Sequence, residues 1–431
     1  MKRLFVLAIL AMLLCGCSSE PIYEKVGFED AATFPTETVE EFPLLDMSET
    51  DTVTQGNIGD YVTTFGRFYI TVDGEESYSN GRDDPKPFLL TFDDFETGET
   101  YPICTQPQCL HDTPTCGAYF SLATGQPECF YYDGEYLYFY LGGEESLYRQ
   151  RLDGTDREKL FSLSGYSVDI LYEGKFAYCL GLIMEKDDET GQIIMRRRLS
   201  QLNLETGEQT ELPFYFEGNL SEVSLLDKYG DELVMRYTYS LDTLMPFQDI
   251  SKTRHMIFLL NIDTGEITWL LDDLSTYSAT ASYPGYRIYA MFDEKSERNL
   301  QYRNGEWSAF SGDIFIFDLR NRVCYELPDQ PCLTWEFSVR DGKLFYCDLS
   351  EDGTALETKI RDLETGEVIP WCFWNSEMEL NRIAVFEDFF IVRKHGDTET
   401  YYRISKEDYY AGIPNLIPLT ELQPQLLGSR G

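Results

Sequence analysis

A two-part hairpin signature recurs along the chain and constrains its fold more than any other feature. The first part is an apolar strand, a tight turn that usually carries glycine, and an aromatic strand, as in residues 133–138 (DGEYLY). Glycine supplies the positive φ angle that such hairpin turns require. The turns of this first part are centred at residues 66, 134, 174, 230, 285, 342 and 388.

The second part of the signature is a strand that ends in a further hairpin turn. Its turn reads Glu-Thr-Gly-Glu at 96–99, 205–208 and 364–367, and Asp-Thr-Gly-Glu at 263–266. A shorter form stands at 153–155, and degenerate forms stand at 318–322 and 405–408. Each copy of the full signature therefore supplies two hairpins, which is enough chain for four strands.

The spacing of the copies predicts an all-β repeat fold. Successive copies lie 40 to 68 residues apart, and four-stranded units of that length are typical of β-propeller blades. We therefore expect a propeller over residues 58–418 with seven four-stranded blades; six or eight blades are the alternatives. An open β-solenoid or a pair of sandwiches would also suit short strands. The aromatic content of 15% fits the packing between such sheets.

The N-terminal 17 residues carry the features of an export signal. Lys2 and Arg3 precede an apolar run from residue 4 to 14, which is too short to span a bilayer but suits the apolar part of a signal peptide. Gly16 and Cys17 resemble the end of a bacterial lipobox. That resemblance implies acylation of Cys17, which would begin the mature protein. An ordinary signal peptide with an incidental cysteine is the alternative.

The residues after Cys17 differ in composition from the rest of the chain. Between Glu20 and Asp51 there are ten acidic residues and one lysine, with three prolines interspersed. Low hydrophobicity and like charge disfavour a packed core, so we predict a flexible acidic tether over 18–57. A short tail is expected at 419–431.

The overall charge limits the partners. The chain has 75 acidic and 35 basic residues, for a formal net charge of −40. Such a protein repels nucleic acid and anionic lipid alike. We therefore expect no nucleic-acid partner, and attachment to the extracytoplasmic face of a bacterial membrane through the lipid on Cys17.

An insertion at residues 102–129 brings cysteine and histidine together. Its pattern is Cys104-x4-Cys109-x-His111-x4-Cys116, followed by Cys129. Three thiolates and an imidazole form an acceptable structural zinc site, closed to catalysis because all four positions are filled. A disulfide-bonded loop that includes Cys129 is the alternative in an oxidising compartment, and unmodified thiols are a third.

A pair of cysteines and a run of arginines lead to two further expectations. Cys324 and Cys332 are eight residues apart, and we read a turn between them that permits a disulfide. The run Arg196-Arg197-Arg198 is dense in positive charge, and we interpret it as an exposed strand face opposite acidic residues.

The repeat resembles those of known propellers. Residues 131–140 (YYDGEYLYFY) and 146–155 (SLYRQRLDGT) resemble a family of bacterial lipoprotein propellers, which are in turn similar to the YWTD propellers of the low-density-lipoprotein receptor and to the propeller of the Tol-Pal system. No copy here carries the Tyr-Trp-Thr-Asp tetrapeptide. The resemblance implies an extracytoplasmic binding or scaffolding role rather than a set of catalytic residues.

Motifs of common enzymes are missing from the sequence. There is no glycine-rich phosphate loop, no His-Glu-x-x-His and no Gly-x-Ser-x-Gly, and the chain has three histidines. We assign no catalytic residue and expect a non-enzymatic module for an unknown protein or glycan ligand. The alternatives are a glycan hydrolase or lyase with carboxylates at the propeller channel, and a component of envelope assembly or sensing.

Overall fold

The chain folds into consecutive antiparallel β-sheets. A computed structural model describes residues 36–38, 54–55, 60–63, 65–72, 75–76, 88–95, 99–121, 123–163, 168–186, 193–217, 221–240, 253–275, 280–283, 288–294, 310–332, 338–349, 356–373, 384–394 and 400–418. Within them the strands form seven sheets, each built on four antiparallel strands in chain order. The expectation of an all-β propeller is thus confirmed.

The first three blades occupy residues 60–217 and are preceded by two short strands. Those two are β1 (Thr36–Thr38) and β2 (Thr54–Gln55). Blade 1 contains β3 (Asp60–Val62), β4 (Gly66–Val72), β5 (Glu75–Glu76), β6 (Phe88–Asp94), β7 (Thr100–Pro102) and β8 (Tyr119–Phe120). Blade 2 contains β9 (Pro127–Tyr132), β10 (Tyr136–Leu141), β11 (Ser146–Arg151) and β12 (Glu158–Ser162), with a 3-10 turn at Gly142–Glu144. Blade 3 contains β13 (Val168–Glu173), β14 (Phe176–Lys186), β15 (Ile193–Asn203) and β16 (Gln209–Glu217).

The other four blades follow the same order. Blade 4 contains β17 (Ser221–Tyr229), β18 (Glu232–Ser240), β19 (Thr253–Asn261) and β20 (Ile267–Ser275). Blade 5 contains β21 (Thr280–Tyr283), β22 (Ile288–Glu294), β23 (Phe310–Asp318) and β24 (Val323–Cys332). Blade 6 contains β25 (Ser338–Arg340), β26 (Lys343–Leu349), β27 (Leu356–Asp362) and β28 (Val368–Pro370). Blade 7 contains β29 (Ala384–Val385), β30 (Phe389–Lys394), β31 (Thr400–Ser405), the helix α1 (Lys406–Tyr410) and β32 (Ile417–Pro418).

The core lies between neighbouring blades because strand side chains alternate between the two faces of a sheet. On β13, Ile170 and Tyr172 pack against blade 2, whereas Leu171 packs against blade 4. The first strands of successive blades also contact one another, β3 with β9, β9 with β13, and β13 with β17. That contact places the first strand of each of these blades nearest the axis, as in a propeller.

Most of the turns expected from the repeat are present. Gly207, Gly265 and Gly366 have φ angles of 73°, 73° and 74°. In each turn an earlier polar side chain caps two backbone amides. For example, Asn203 Oδ1 accepts hydrogen bonds from the amides of residues 205 and 206, both at 3.0 Å. The turn signature therefore includes an Asn or Asp before its glycine.

Two turns of the expected pattern differ in the structure. Gly66 begins strand β4, where an added Cβ would lie 2.0 Å from the ring of Phe92, so close packing rather than a turn requires glycine there. Residues 405–408 begin the helix α1 in place of a hairpin turn. Ser405 caps this helix, since its hydroxyl accepts a hydrogen bond of 3.0 Å from the amide of Asp408.

Part of the expected tether pairs with the blades. Strand β1 lies parallel to β24, the last strand of blade 5, and β2 lies antiparallel to β13, the first strand of blade 3. The tether expectation therefore does not hold at these five residues. The other residues of 18–57 lie outside the described residues. The signal at 1–17 with its Cys17 and the tail at 419–431 also lie outside them. Among the described residues, no helix has the length and apolar character needed to cross a membrane.

Candidate metal centre

The cysteine–histidine insertion interrupts the outer strand of blade 1. Strand β7 pairs with the second half of β6, and β8 pairs with its first two residues. Between these pairings the chain leaves the sheet as a loop, residues 103–118, which we call the knuckle. Both ends of the knuckle bond to Leu90: the amide of Ile103 donates to the Leu90 carbonyl, and the Leu90 amide donates to the Ala118 carbonyl, each at 2.9 Å.

The four ligand candidates predicted from the sequence come together in the knuckle. The Sγ atoms of Cys104, Cys109 and Cys116 and a ring nitrogen of His111 all lie within 4.8 Å of one another. His111 Nδ1 is 3.2 Å from Cys116 Sγ. A tetrahedral zinc site with ordinary bond lengths has ligand–ligand distances of roughly 3.5–3.8 Å. The residues therefore fit a zinc ion with little movement.

The local backbone turns these side chains inward. Gln108 and His111 have φ angles of 60° and 55°, in the left-handed region that reverses the chain direction. The Cys109 amide donates to the Gln106 carbonyl at 3.2 Å, which closes a tight turn at the second ligand. Cys116 is buried, and its Sγ accepts a hydrogen bond of 3.3 Å from the amide of Ala118. An amide aimed at sulfur favours the thiolate that a metal requires.

Burial and nearby polar groups shift the pKa values of three of the four ligand side chains. Burial opposes ionisation of Cys104, but the amide of Gln106 and the neighbouring thiols outweigh it, so the pKa of Cys104 is lowered. Burial raises the pKa of Cys116 to about 12. Burial also lowers the pKa of His111, against the charge of Asp112, which favours the neutral imidazole that binds metal. Metal loading must therefore displace a proton from Cys116.

The knuckle is fastened to a turn of blade 2. The amide and the hydroxyl of Thr105 both donate to the Asp153 carbonyl, each at 3.1 Å. The next residue, Gly154, approaches so closely that an added Cβ would lie 2.4 Å from the carbonyl oxygen of Ile103. The first turn of the knuckle thus packs directly against backbone.

Arg157 of blade 2 holds the other end of the knuckle. Its guanidinium donates to the carbonyl of Gly117, to that of Tyr119 at 3.1 Å and to Gln150 Oε1 at 2.8 Å. It also lies over the Phe120 ring, 4.1 Å from the centroid. Burial lowers the pKa of Arg157 to about 10. Sequence reasoning missed this residue, because its two carbonyl partners lie 38 and 40 positions earlier and no local pattern marks it.

The structure places Cys129 away from the cluster. It lies on β9, 3% exposed, and packs with Cys179 in the core between blades 2 and 3. A disulfide loop that includes Cys129 does not fit this arrangement, whereas the side chains of Cys104, Cys109, His111 and Cys116 could hold a metal ion.

One other expectation from the sequence was wrong and another holds only in part. Cys324 and Cys332 lie on one continuous strand, β24, and eight residues of strand span about 26 Å, far beyond the Cα separation of a disulfide. Acidic residues face the run of arginines as expected, since Arg198 Nε lies 3.9 Å from Glu211 Oε1. Arg197, however, is 7% exposed rather than on an open face, and its Nη2 lies 3.5 Å from Glu222 Oε1 of blade 4. This ion pair joins two blades.

Comparisons with known proteins show likeness at the level of structure. No family model matches the chain, and no curated protein matches it. The β-propeller domain of the Trilobed protease from Pyrococcus furiosus aligns with 87% of this chain and 98% of its own, at 11% identity and a TM-score of 0.47. A prolyl endopeptidase aligns with 86% of this chain and 50% of its own, at 12% identity and a TM-score of 0.49. TolB from Acinetobacter baumannii aligns with 83% of this chain and 78% of its own, at 12% identity and a TM-score of 0.32.

Proposed function

We propose that this chain is a lipid-anchored extracytoplasmic propeller that acts as a binding or scaffold module. In this proposal, a zinc-stabilised knuckle on blade 1 presents a fixed surface to a protein partner. The observation that carries it is the convergence of Cys104, Cys109, His111 and Cys116 within 4.8 Å in a loop already tied to two blades. A zinc ion with four protein ligands has no open position for substrate, so its role would be structural.

A fixed loop favours binding because less conformational entropy is lost when a partner binds to it. Leu110, between the ligands Cys109 and His111, is 72% exposed. Zinc bound by the ligands on either side of Leu110 would hold this apolar side chain in solvent, where a partner can cover it. The site thus gives the proposal a specific contact to test.

The membrane anchor rests on the sequence. The signal at 1–17 and the lipobox-like Cys17 support export and acylation, and the net charge of −40 disfavours attachment to anionic lipid through the protein surface. We therefore place the module on the extracytoplasmic face of a bacterial membrane. Labelling of cells with a palmitate analogue should mark the wild type and leave Cys17→Ser unmarked; labelling of both would contradict the anchor.

Metal content tests the knuckle. The full chain, purified without reductant or chelator, should hold one zinc per molecule. Cys109→Ser and His111→Ala should lose it, whereas Cys372→Ser, a change at an exposed thiol of blade 6, should retain it. Wild type without metal, in which two of Cys104, Cys109 and Cys116 resist thiol reagents in the unfolded chain until a reductant is added, would refute the zinc site and establish a disulfide.

Cross-linking in membranes tests the binding surface. A partner of the wild type should be lost in Leu110→Glu and kept in Val368→Glu, a matched change at a 45% exposed position on blade 6. Retention of every cross-link in Leu110→Glu would remove the knuckle from the interface. Release of sugars from envelope glycans by the purified wild type would favour the enzymatic alternative instead.

A further inference from the structure

Two of the three thiols in the knuckle lie at the ends of one tight turn and are accessible from solvent. Cys104 and Cys109 are partly exposed, whereas Cys116 is buried. The Cys109 amide donates to the Gln106 carbonyl at 3.2 Å, so the chain between the two exposed cysteines already turns back on itself. Their Sγ atoms lie within 4.8 Å of each other. A small solute in water can therefore reach two neighbouring sulfur atoms.

The third thiol is held in place by its surroundings. Cys116 Sγ lies 3.2 Å from His111 Nδ1 and accepts a hydrogen bond of 3.3 Å from the Ala118 amide. The next residue, Gly117, is packed so closely that an added Cβ would lie 2.1 Å from the Gly154 carbonyl oxygen. The buried sulfur thus stays with its partners, and a solute reaches the other two sulfurs first.

Little motion is needed to bond Cys104 to Cys109. A disulfide bond is about 2.05 Å long, so the two sulfurs have to approach each other by less than about 3 Å. Rotation of the two side chains about their Cα–Cβ bonds moves the sulfurs by a comparable distance. The backbone between them can stay where the amide and the hydroxyl of Thr105 bond to the Asp153 carbonyl. The fastening of the knuckle to blade 2 is therefore compatible with this disulfide.

We propose that Cys104 and Cys109 form a redox switch, in which hydrogen peroxide joins them in a disulfide and the zinc ion leaves the knuckle. The inference rests on the proposed function and adds the regulation of its binding surface. Zinc-bound thiolates are the form of cysteine that reacts with peroxide. The two partly exposed sulfurs then supply both the reacting thiolate and the one that resolves it.

The reaction balances with peroxide as the oxidant. One thiolate attacks a peroxide oxygen, so that an S–O bond forms, the O–O bond breaks and hydroxide leaves. The second thiolate attacks the sulfur of this sulfenic acid, so that the S–S bond forms and a second hydroxide leaves. Two electrons pass from the sulfurs to the peroxide, and two protons convert the hydroxides to water. Each disulfide thus consumes one hydrogen peroxide.

The disulfide removes the metal from the loop that carries Leu110. Only His111 and Cys116 remain as ligands, fewer than the four that a structural zinc ion takes. Leu110 then follows an oxidised cysteine and precedes a histidine without metal, so the zinc ion no longer fixes its position. Partner binding should therefore fall on oxidation and return after reduction in the presence of zinc.

The test treats the full, zinc-loaded chain with hydrogen peroxide. Pyridylazoresorcinol reports the released zinc, and peptide mass mapping of the unfolded, alkylated chain locates the disulfide. We expect one zinc ion to be released for each Cys104–Cys109 disulfide, and dithiothreitol followed by fresh zinc to restore the site. Zinc release without this bond, or with a disulfide of Cys116 in its place, would overturn the assignment.

Two variants separate the switch from the other thiols. Cys109→His keeps four ligands for zinc but cannot form the disulfide, so it should release zinc about tenfold more slowly than the wild type. Cys372→Ser, which removes an exposed thiol of blade 6, should release zinc at the wild-type rate. Zinc release from Cys109→His at the wild-type rate would refute the inference.

The membrane cross-link distinguishes this inference from the proposed function. Peroxide should abolish the cross-link of the wild type, and dithiothreitol with zinc should restore it. If the zinc-loaded wild type keeps its metal in peroxide while Leu110→Glu still loses the cross-link, the switch is wrong and the proposed function stands. A chain that holds no zinc before peroxide is added would refute the zinc-stabilised knuckle itself.

Discussion

Gly154 offers a sharp test of how the knuckle is mounted on blade 2. Its φ angle is 79°, and that of Gly207, in the equivalent turn of blade 3, is 73°. An added Cβ at Gly154 would lie 2.4 Å from the Ile103 carbonyl oxygen and 3.2 Å from the Cα of Cys104, whereas one at Gly207 would have no atom within 4 Å. Gly154→Ala and Gly207→Ala should therefore pay the same free-energy cost for a left-handed backbone, but only Gly154→Ala should also introduce a steric clash.

The magnitudes follow from these two terms. A left-handed alanine costs about 1–2 kcal/mol, and this cost applies to both variants. Displacement of packed backbone adds about 1–3 kcal/mol for Gly154→Ala alone. Urea unfolding of the zinc-loaded full chain should show Gly154→Ala as the less stable variant, and competition with a chelator should show weaker zinc binding for it alone. Equal losses of stability with unchanged zinc affinity would refute the close mounting of the knuckle.

Three further predictions concern polar contacts. Arg157→Met should cost about 3 kcal/mol in urea unfolding, because three hydrogen bonds from a charged donor are lost. Arg151→Met, which removes exposed ion pairs, should cost much less; equal costs would show that Arg157 does not hold the knuckle. Tyr172→Phe should cost about 1–2 kcal/mol in the same assay, since its buried hydroxyl donates to the Cys129 carbonyl at 2.9 Å, and Tyr132→Phe, at an exposed bond, should cost less. Burial, followed by nearby arginines, lowers the pKa of His255 to about 4, so the unfolded chain binds the proton more tightly and stability falls as the pH drops from about 6.5 through 4. In His255→Gln, the free energy of unfolding should fall less steeply than in the wild type as the pH drops through this range. An unchanged slope would show that His255 does not cause the pH dependence.

The repeat could be predicted from the sequence because each hairpin turn is a local event. Gly207, Gly265 and Gly366 have the positive φ angles that the turn pattern requires. The helix α1 was missed although Ser405 followed three residues later by Asp408 is a capping signal, because the repeat pattern suggested a turn there. Gly66 could not be understood from its neighbours in the sequence, since the Phe92 ring that excludes a side chain comes from the paired strand β6.

The sequence reveals the ligands of the knuckle but not the residue that holds it. The knuckle ligands could be found because cysteine and histidine within 13 residues form a rare and local pattern. Arg157 was hidden, because its carbonyl partners on Gly117 and Tyr119 lie 40 and 38 positions earlier and only the packing of blades 1 and 2 brings them together.

The position of the knuckle in the blade explains why the fold tolerates it and what it can control. An outermost strand pairs on one side only, so its interruption leaves few backbone groups unpaired, and the amide and carbonyl of Leu90 bond to the two ends of the loop. Ile103 begins the knuckle, and its amide donates to the Leu90 carbonyl. If zinc fixes Cys104, it also holds the preceding residue, Ile103, in this pairing. Removal of zinc should then speed hydrogen exchange of the Ile103 amide. An unchanged exchange rate would show that the outer strand keeps its pairing without the metal.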